Sequence, residues 1–356
     1  MNDVRVAVVG AGLAGSLLAW RLATTRPGVG RRIDVFTGDC GPDATEASGG
    51  LVRGFEADPA AADLATASMA ELTASATLTR WAQYRQIGSV YLRHGPDGLE
   101  TSAARINAVL PESADVRPAD RLGGAWAGFP AGAYAIVERT AGYIEPDALR
   151  RAVLAELPRL GVRLVDTTVT AVEPGDVHRL RWAGGTSAYD VVVLATGART
   201  GERLVGAGLP TAGLRTKLVQ YGLYRADGPR PPAFVDDTSG LYGRAGADGL
   251  VLLGVPSDAW DPPLDPVRPK PTLQWRAERL AAERLPRLRL GPTVKVRASV
   301  DCYGPPGHLA LRAVPGSRGL HTFTAGSGGS AKLALAASAT AAAELKASVS
   351  TTGVHT

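Results

Sequence analysis

The chain has 356 residues, 45% of them hydrophobic and 21% charged, an ordinary globular balance that excludes wholesale disorder. That length suits about two folding units and needs no covalent staples. Two cysteines, Cys40 and Cys302, exclude a disulfide framework and any Cys-rich zinc site. The net charge of +5 comes from scattered basic residues, with no Lys/Arg run interleaved with aromatics, which excludes a nucleic-acid groove. Five lysines stand against thirty-four arginines, the bias of a GC-rich bacterial gene, so each lysine is informative.

In chain order, Val4–Val9 reads as a β-rich run, followed by Gly10-Ala11-Gly12-Leu13-Ala14-Gly15 and an apolar stretch from Ser16 to Ala23 that suits a buried helix. Arg31–Phe36 reads as a second strand. The uncharged stretch from Val6 to Trp20 is taken as this strand–turn–helix rather than a secretory signal, and Leu122–Val137 is too short and too broken for a membrane span. A cytoplasmic protein with neither membrane nor nucleic-acid partners is expected. Residues 60–86 look helical, and 87–140 mix short strands such as Ser89–Leu92 with Gly/Pro turns. A helix is predicted over Glu145–Leu157, strands over Val162–Val165 and Val169–Val172, and a continuous apolar strand over Tyr189–Leu194. Turn-rich strands fill 214–300 around a Pro-rich loop at 256–271 and an Arg-rich helix at 273–290. A strand over Gly319–Thr324 and an Ala-rich helix over Lys332–Leu345 precede a frayed tail at 347–356.

Glycines at 10, 12 and 15 meet three needs of a dinucleotide site: a tight turn, close approach of backbone to pyrophosphate, and close packing of helix on strand. The phosphates then sit at a helix N-terminus, where free N–H groups and the dipole favour an anion. The acidic residue that usually ends the second strand and grips the ribose is missing; Thr37, or Asp39 from the turn, is left to make that contact. Further on, Val191–Leu194 runs into Ala195-Thr196-Gly197, and Gly326-Ser327-Gly328-Gly329-Ser330 precedes the last helix.

Three separated small-residue turns in this order resemble FAD oxidoreductases of the D-amino-acid-oxidase superfamily, nearest the monomeric sarcosine oxidase group. The resemblance implies an α/β fold in which a Rossmann-like FAD-binding domain (1–85, 141–213 and 298–346) accompanies a mostly antiparallel β substrate domain (86–140 and 214–297). It implies FAD contacts from Gly10, Ala11, Gly12, Leu13, Ala14 and Gly15, then Thr37 and Asp39, from Ser48-Gly49-Gly50-Leu51, and from Val169. Ala195, Thr196 and Gly197, the turn from Gly326 to Ser330, and Lys332 complete the set. Arg53 and Lys332 match the family's cations for the substrate carboxylate, and Cys302 stands where that group attaches FAD covalently. Tyr242 and Arg244 are further candidates from the substrate sheet.

The implied reaction oxidises an amino acid or carboxylated amine by moving a hydride from the carbon bearing nitrogen to flavin N5, giving an imine, with O2 or another electron acceptor closing the cycle. That transfer needs the substrate held within about 3.5 Å and aligned, which a planar arginine fork and a lysine point charge on one carboxylate supply. Two departures stand out. The strand Gly249–Gly254 carries no lysine where the sarcosine oxidase group activates oxygen, and the C-terminal glycine turn lacks the group's frequent histidine. The competing classes are a flavin monooxygenase or halogenase, against which the chain lacks the Gly-Asp pair before the last helix and a Trp-x-Trp-x-Ile-Pro stretch, and a non-catalytic flavoprotein subunit. Five isolated histidines give no metal-ligand spacing.

Overall fold

The computed structural model describes residues 4–24, 31–38 and 44–352. The apolar run β1 (Val4–Val9) forms a strand whose last four residues are buried, as expected of a strand covered on both faces. It turns through Gly10–Gly12 into α1 (Leu13–Thr24), which buries Leu17, Leu18 and Ala19, and the chain returns as β2 (Arg31–Phe36) parallel to β1. Two short elements follow: β3 (Leu51–Val52), and α2 (Pro59–Ala74), capped by the Asp58 carboxylate on the Ala61 N–H. β4 (Val191–Leu194) pairs parallel to the other side of β1. The full six-stranded sheet runs in the order Ala310–Ala313, Leu320–Thr324, β4, β1, β2, Arg163–Val165, all parallel except Ala310–Ala313.

The second sheet has eight strands. Its long edge pair is β5 (Arg215–Asp227) and β7 (Arg289–Tyr303), with β6 (Leu241–Ala245) further in, beyond Leu250–Gly254. Ala233–Asp236, Ser89–His94, Ala133–Glu138 and Ala114–Pro118 continue it, and the only parallel pair is Ala233–Asp236 with Ser89–His94. The chain closes with α3 (Ser330–Thr352), packed on α1 and α2. Arg21 on α1 ties the three helices, donating to Glu71 on α2 at 2.5 Å and to the Leu335 carbonyl on α3 at 3.2 Å.

Several elements differ from the sequence expectation. Residues 60–86 form two helices broken at Ser75, whose hydroxyl caps the second by accepting the Leu78 N–H. Leu99–Val109 is a helix inside a stretch expected to be strands and turns; Leu99, Ala103 and Ile106 give it one buried face. The predicted helix at 273–290 is Pro271–Arg284, after which the chain straightens into β7, and β7 runs unbroken past residue 298, where a domain boundary was expected. The strand over Tyr189–Leu194 is interrupted at Asp190, whose carboxylate accepts the Arg5 N–H at 2.7 Å. The last helix continues through the expected tail as far as Thr352.

Candidate active site

A cavity of about 790 Å³ lies between the two sheets, within the roughly 300–1,000 Å³ of small-molecule and cofactor sites. One end is built by the β1–α1 turn. Gly10 has φ +106°, a conformation closed to most residues, and a Cβ there would stand 2.5 Å from the Ala195 carbonyl oxygen. Gly15 does not line the cavity; a Cβ on it would fall 2.0 Å from the Gly10 carbonyl oxygen, so it serves the packing of helix on turn. Gly10, Ala11, Gly12, Leu13 and Ala14 all line the cavity, with Thr37 at the end of β2 and Ala195, Thr196 and Gly197 at the end of β4. The Thr37 hydroxyl lies 3.4 Å from Asp166 Oδ1. Asp39 and Cys40 fall outside the described residues. This is a cradle of small residues at a helix N-terminus, which fits a pyrophosphate.

The segment from Ser48 to Leu51 lines the middle of the cavity and is clamped from the second sheet. Arg244 does the clamping: Nε donates to the Gly49 carbonyl at 2.7 Å, the guanidinium lies 3.7 Å over the Tyr143 ring, and Nη2 is 3.5 Å from Glu145. Arg244 is therefore buried behind the loop and absent from the cavity wall, contrary to the expectation that it projects toward substrate. Burial pushes its guanidinium pKa down, against the opposing charge of Glu145. Tyr242 does line the cavity and donates its hydroxyl to the Gln220 carbonyl at 2.9 Å; burial pushes its phenol up, so it stays protonated.

Beyond that loop, Arg53 follows β3 and Lys332 sits in the first turn of α3, and both line the cavity. Glu56, which the sequence reading passed over, joins them. Arg53 Nη2 donates to Glu56 Oε1 at 2.7 Å, and Lys332 Nζ is 3.2 Å from the same oxygen. Burial alone would raise the Glu56 carboxyl, but the two cations beside it win and hold it below the ordinary carboxylate range. Burial pushes the Lys332 ammonium below the usual lysine range, with Glu56 opposing. Arg53 also donates Nε to the Phe55 carbonyl at 3.0 Å and lies 5.2 Å over the Tyr91 ring. Beneath it, fully buried Glu138 accepts the Gly54 N–H at 2.7 Å and the Phe55 N–H at 2.9 Å; burial raises its carboxyl pKa despite those two donors.

The turn before α3 completes the wall. Ala325 (φ 61°) and Ser327 (φ 50°) hold left-handed conformations unusual for residues with a Cβ, a strain often found at functional turns. Gly328, Gly329, Ser330 and Lys332 line the cavity, whereas Gly326 and Ser327 stand behind them. Cys302 also stands behind. On β7 Val300, Asp301 and Tyr303 line the cavity, whereas the Cys302 thiol turns to Thr324 and the Ala325 backbone. Burial pushes that thiol up, which disfavours a nucleophilic thiolate. Val169 is packed into the core with Phe36 and Tyr189 and does not reach the cavity. Also unforeseen on the wall are Tyr221 and Lys217, whose ammonium lies 4.7 Å over the Trp260 ring and 5.6 Å over Tyr303. Among the described residues no group of three or more His, Cys, Asp or Glu is arranged to hold a metal, and no helix is long and apolar enough to cross a membrane.

The residues present thus fit an extended dinucleotide: the α1 N-terminus would hold its phosphates, and the Ser48–Leu51 loop and the turn before α3 would hold the remainder. Comparisons with known proteins agree. Solved structures of the same fold include glycine oxidase from Geobacillus kaustophilus (20% identity, TM-score 0.74, covering 96% of this chain and 95% of that one). L-Proline dehydrogenase from P. horikoshii follows at 16% identity and TM-score 0.78, covering 96% and 92%. Iminodiacetate oxidase from Chelativorans sp. BNC1 follows at 21% identity and TM-score 0.73, covering 98% and 95%. No curated protein matches the sequence. The profile of the FAD dependent oxidoreductase (DAO) family matches residues 5–345, and the chain belongs to that family.

Proposed function

We propose that this FAD-dependent oxidoreductase oxidises an amine that also carries a carboxylate, an amino acid or a close relative, at the C–H bond next to nitrogen. One observation carries the reading: two cations that line the cavity, Arg53 and Lys332, already converge on a carboxylate, that of Glu56 behind them. Two buried cations that converge on one carboxylate oxygen form a receptor for that group, and a substrate carboxylate competes with Glu56 for it. FAD, when bound, supplies the two-electron acceptor for the hydride. The protein's own residues do the rest. Arg53 and Lys332 fix one end of the substrate, and Tyr221, Tyr242 and Tyr303 on the cavity wall offer apolar faces to the remainder. The loop Ser48–Leu51, held by Arg244, sets the distance between substrate and ring.

The proposal includes an imine product, reoxidation by O2 or another acceptor, a cytoplasmic setting and a place in biosynthesis. The structural relative NikD, described as an amino acid oxidase essential for nikkomycin biosynthesis, lends the last point support by analogy of fold alone. A matched panel tests the reading: anaerobic mixing of the FAD-loaded protein with amino acids, N-methylated amino acids and their decarboxylated counterparts. Bleaching of the visible flavin absorbance by carboxylated members only is expected. Equal reduction by the decarboxylated amines would remove the carboxylate receptor from the account.

A further inference from the structure

A carbon–hydrogen bond next to nitrogen releases hydride only if the nitrogen has a free lone pair to stabilise the cation left behind, and an amino acid in neutral water arrives as an ammonium. Something in the cavity has to take that proton. We propose that Asp301 takes it, an assignment that rests on the carboxylated-amine reading above.

Asp301 lines the cavity from β7, beside the carboxylate receptor. Its two oxygens are fixed from behind: the Cys302 N–H donates to Oδ1 at 2.8 Å and the Gly328 N–H to Oδ2 at 2.9 Å. A carboxylate oxygen accepts more than one hydrogen bond, so each oxygen keeps a lone pair for a further donor. The charged and titratable groups facing it are few. From α3 comes Lys332, itself joined to Glu56 and, through it, to Arg53. From β5 comes Lys217, directly opposite Asp301 in the strand register, with its ammonium drawn off over Trp260 and Tyr303. On its own strand are the Tyr303 phenol, which burial and Asp301 push up to about 12, and the Cys302 thiol, also raised by burial; both are protonated neighbours.

The other carboxylates of the wall are less suited. Glu46 is paired with Arg297 at 2.8 Å, and Asp237 is an exposed side chain at the end of its strand. Burial raises the Asp301 carboxyl above the ordinary aspartate range, with the Cys302 and Gly328 N–H groups and Lys332 opposing. A raised carboxyl is the stronger base, nearer the operating pH where proton transfer is most effective.

The step balances simply. One N–H bond of the ammonium breaks and its electron pair stays on nitrogen; an O–H bond forms on Asp301, which becomes neutral as the amine becomes neutral. The C–H bond then gives up its proton and two electrons together as hydride to the bound FAD, and the nitrogen lone pair forms the second bond of the iminium.

Two probes isolate the proton. 2-Aminoisobutyrate has an ammonium and a carboxylate but no hydrogen on the carbon bearing nitrogen, so it binds without reacting; 2-hydroxyisobutyrate has the carboxylate alone. Dissociation constants for both, read from perturbation of the flavin spectrum of the holoenzyme across pH 5 to 9, should diverge. Affinity for the amino probe should fall about tenfold per pH unit below the Asp301 pKa, while that for the hydroxy probe does not fall. Parallel pH dependences in the wild-type protein would overturn the proposal, whatever the variant does.

In Asp301→Asn the divergence should vanish, and the limiting rate of anaerobic flavin reduction by the best member of the amine panel should drop at least about 100-fold with little change in KM. An Asn variant that holds FAD and reduces at the wild-type rate would also overturn it. If the Asn variant holds no FAD, the wild-type comparison decides alone. If neither probe binds the wild-type protein, the carboxylated-amine reading itself fails, and this assignment with it.

Discussion

Arg53 enters the cavity with Nε on the Phe55 carbonyl and Nη2 on Glu56, a carboxylate it shares with Lys332, so the two cations keep one net positive charge between them before any substrate arrives. Replacing it by Ala should therefore do two things: raise KM for a carboxylated amine by about 10- to 100-fold, the value of one or two charge-assisted hydrogen bonds, and leave Lys332 alone with Glu56. Steady-state kinetics with the amino acid and its decarboxylated partner check this, since only the former should suffer. Arg244 makes the opposite case. Its pattern in the sequence, beside Tyr242 on a strand of the substrate sheet, suggested a substrate contact, and nothing in the sequence shows that it reaches back to Gly49. Arg244→Ala should cost about 1–2 kcal/mol of stability, chiefly by leaving the Gly49 carbonyl without its donor, since Glu145 stands half in water and adds little; denaturant unfolding measures it, and FAD retention should weaken without altering the preference for carboxylates. Cys302 was legible as a residue near the site but not as one facing away, because that depends on which strand face the register turns inward. With the thiol against Thr324, acid denaturation should release free flavin into the supernatant; colour left on the polypeptide would contradict the observed placement.

Elements with a strong local pattern were legible. β1, α1 and β2 follow from an apolar run, a glycine turn and a second run, and Gly15 was read for close packing that the structure supplies through the Gly10 carbonyl. A Gly15→Val chain should lose FAD binding and most of its soluble yield, checked by flavin content after reconstitution. The helix Leu99–Val109 was not legible, since its buried face of three residues makes a weak period and Gly98 and Pro96 ahead of it read as turns. Glu56 and Glu138 were missed for a related reason: a single acidic residue carries no motif, and Glu138 finds its partners only where Gly54 and Phe55 meet the Ala133–Glu138 strand, as Glu56 finds Lys332 only where its segment meets α3. β2 carries a pH-dependent tie to its neighbours. Burial works to raise the Asp34 carboxyl, but hydrogen bonds from Arg163 and Tyr189 at 2.9 and 2.7 Å overcome it and hold it below the ordinary range. A depressed folded pKa contributes stability above the unfolded value that is lost as pH falls through the folded one. Asp34→Asn should therefore cost about 1–2 kcal/mol at neutral pH, at the low end because Arg163 is half in water, and the two proteins should converge in acid. Urea midpoints at pH 7 and pH 3 measure it.

At the scale of the whole molecule, the two sheets come together across the cavity, so each supplies only part of the wall: the glycine turns come from one, and Lys217, Tyr221, Tyr242, Asp301 and Tyr303 from the other. The first set announces itself in the sequence because dinucleotide binding constrains backbone and spacing. The second does not, because strand alternation and register decide which residues face inward, and no local motif records them. A ligand that spans both sheets should stabilise their union. FAD at 100 times its dissociation constant adds about 2.7 kcal/mol, which differential scanning of the FAD-free and FAD-loaded protein should show as an upward shift of several degrees. The most direct measurement joins both halves of the wall in one observation: the purified protein, reconstituted with FAD, is freed of excess cofactor and titrated without oxygen against a carboxylated amine that belongs to the panel. One FAD per chain, reduced in full by the amine, is the predicted result. A protein that remains colourless after reconstitution, or whose bound flavin no carboxylated amine reduces, would contradict the account.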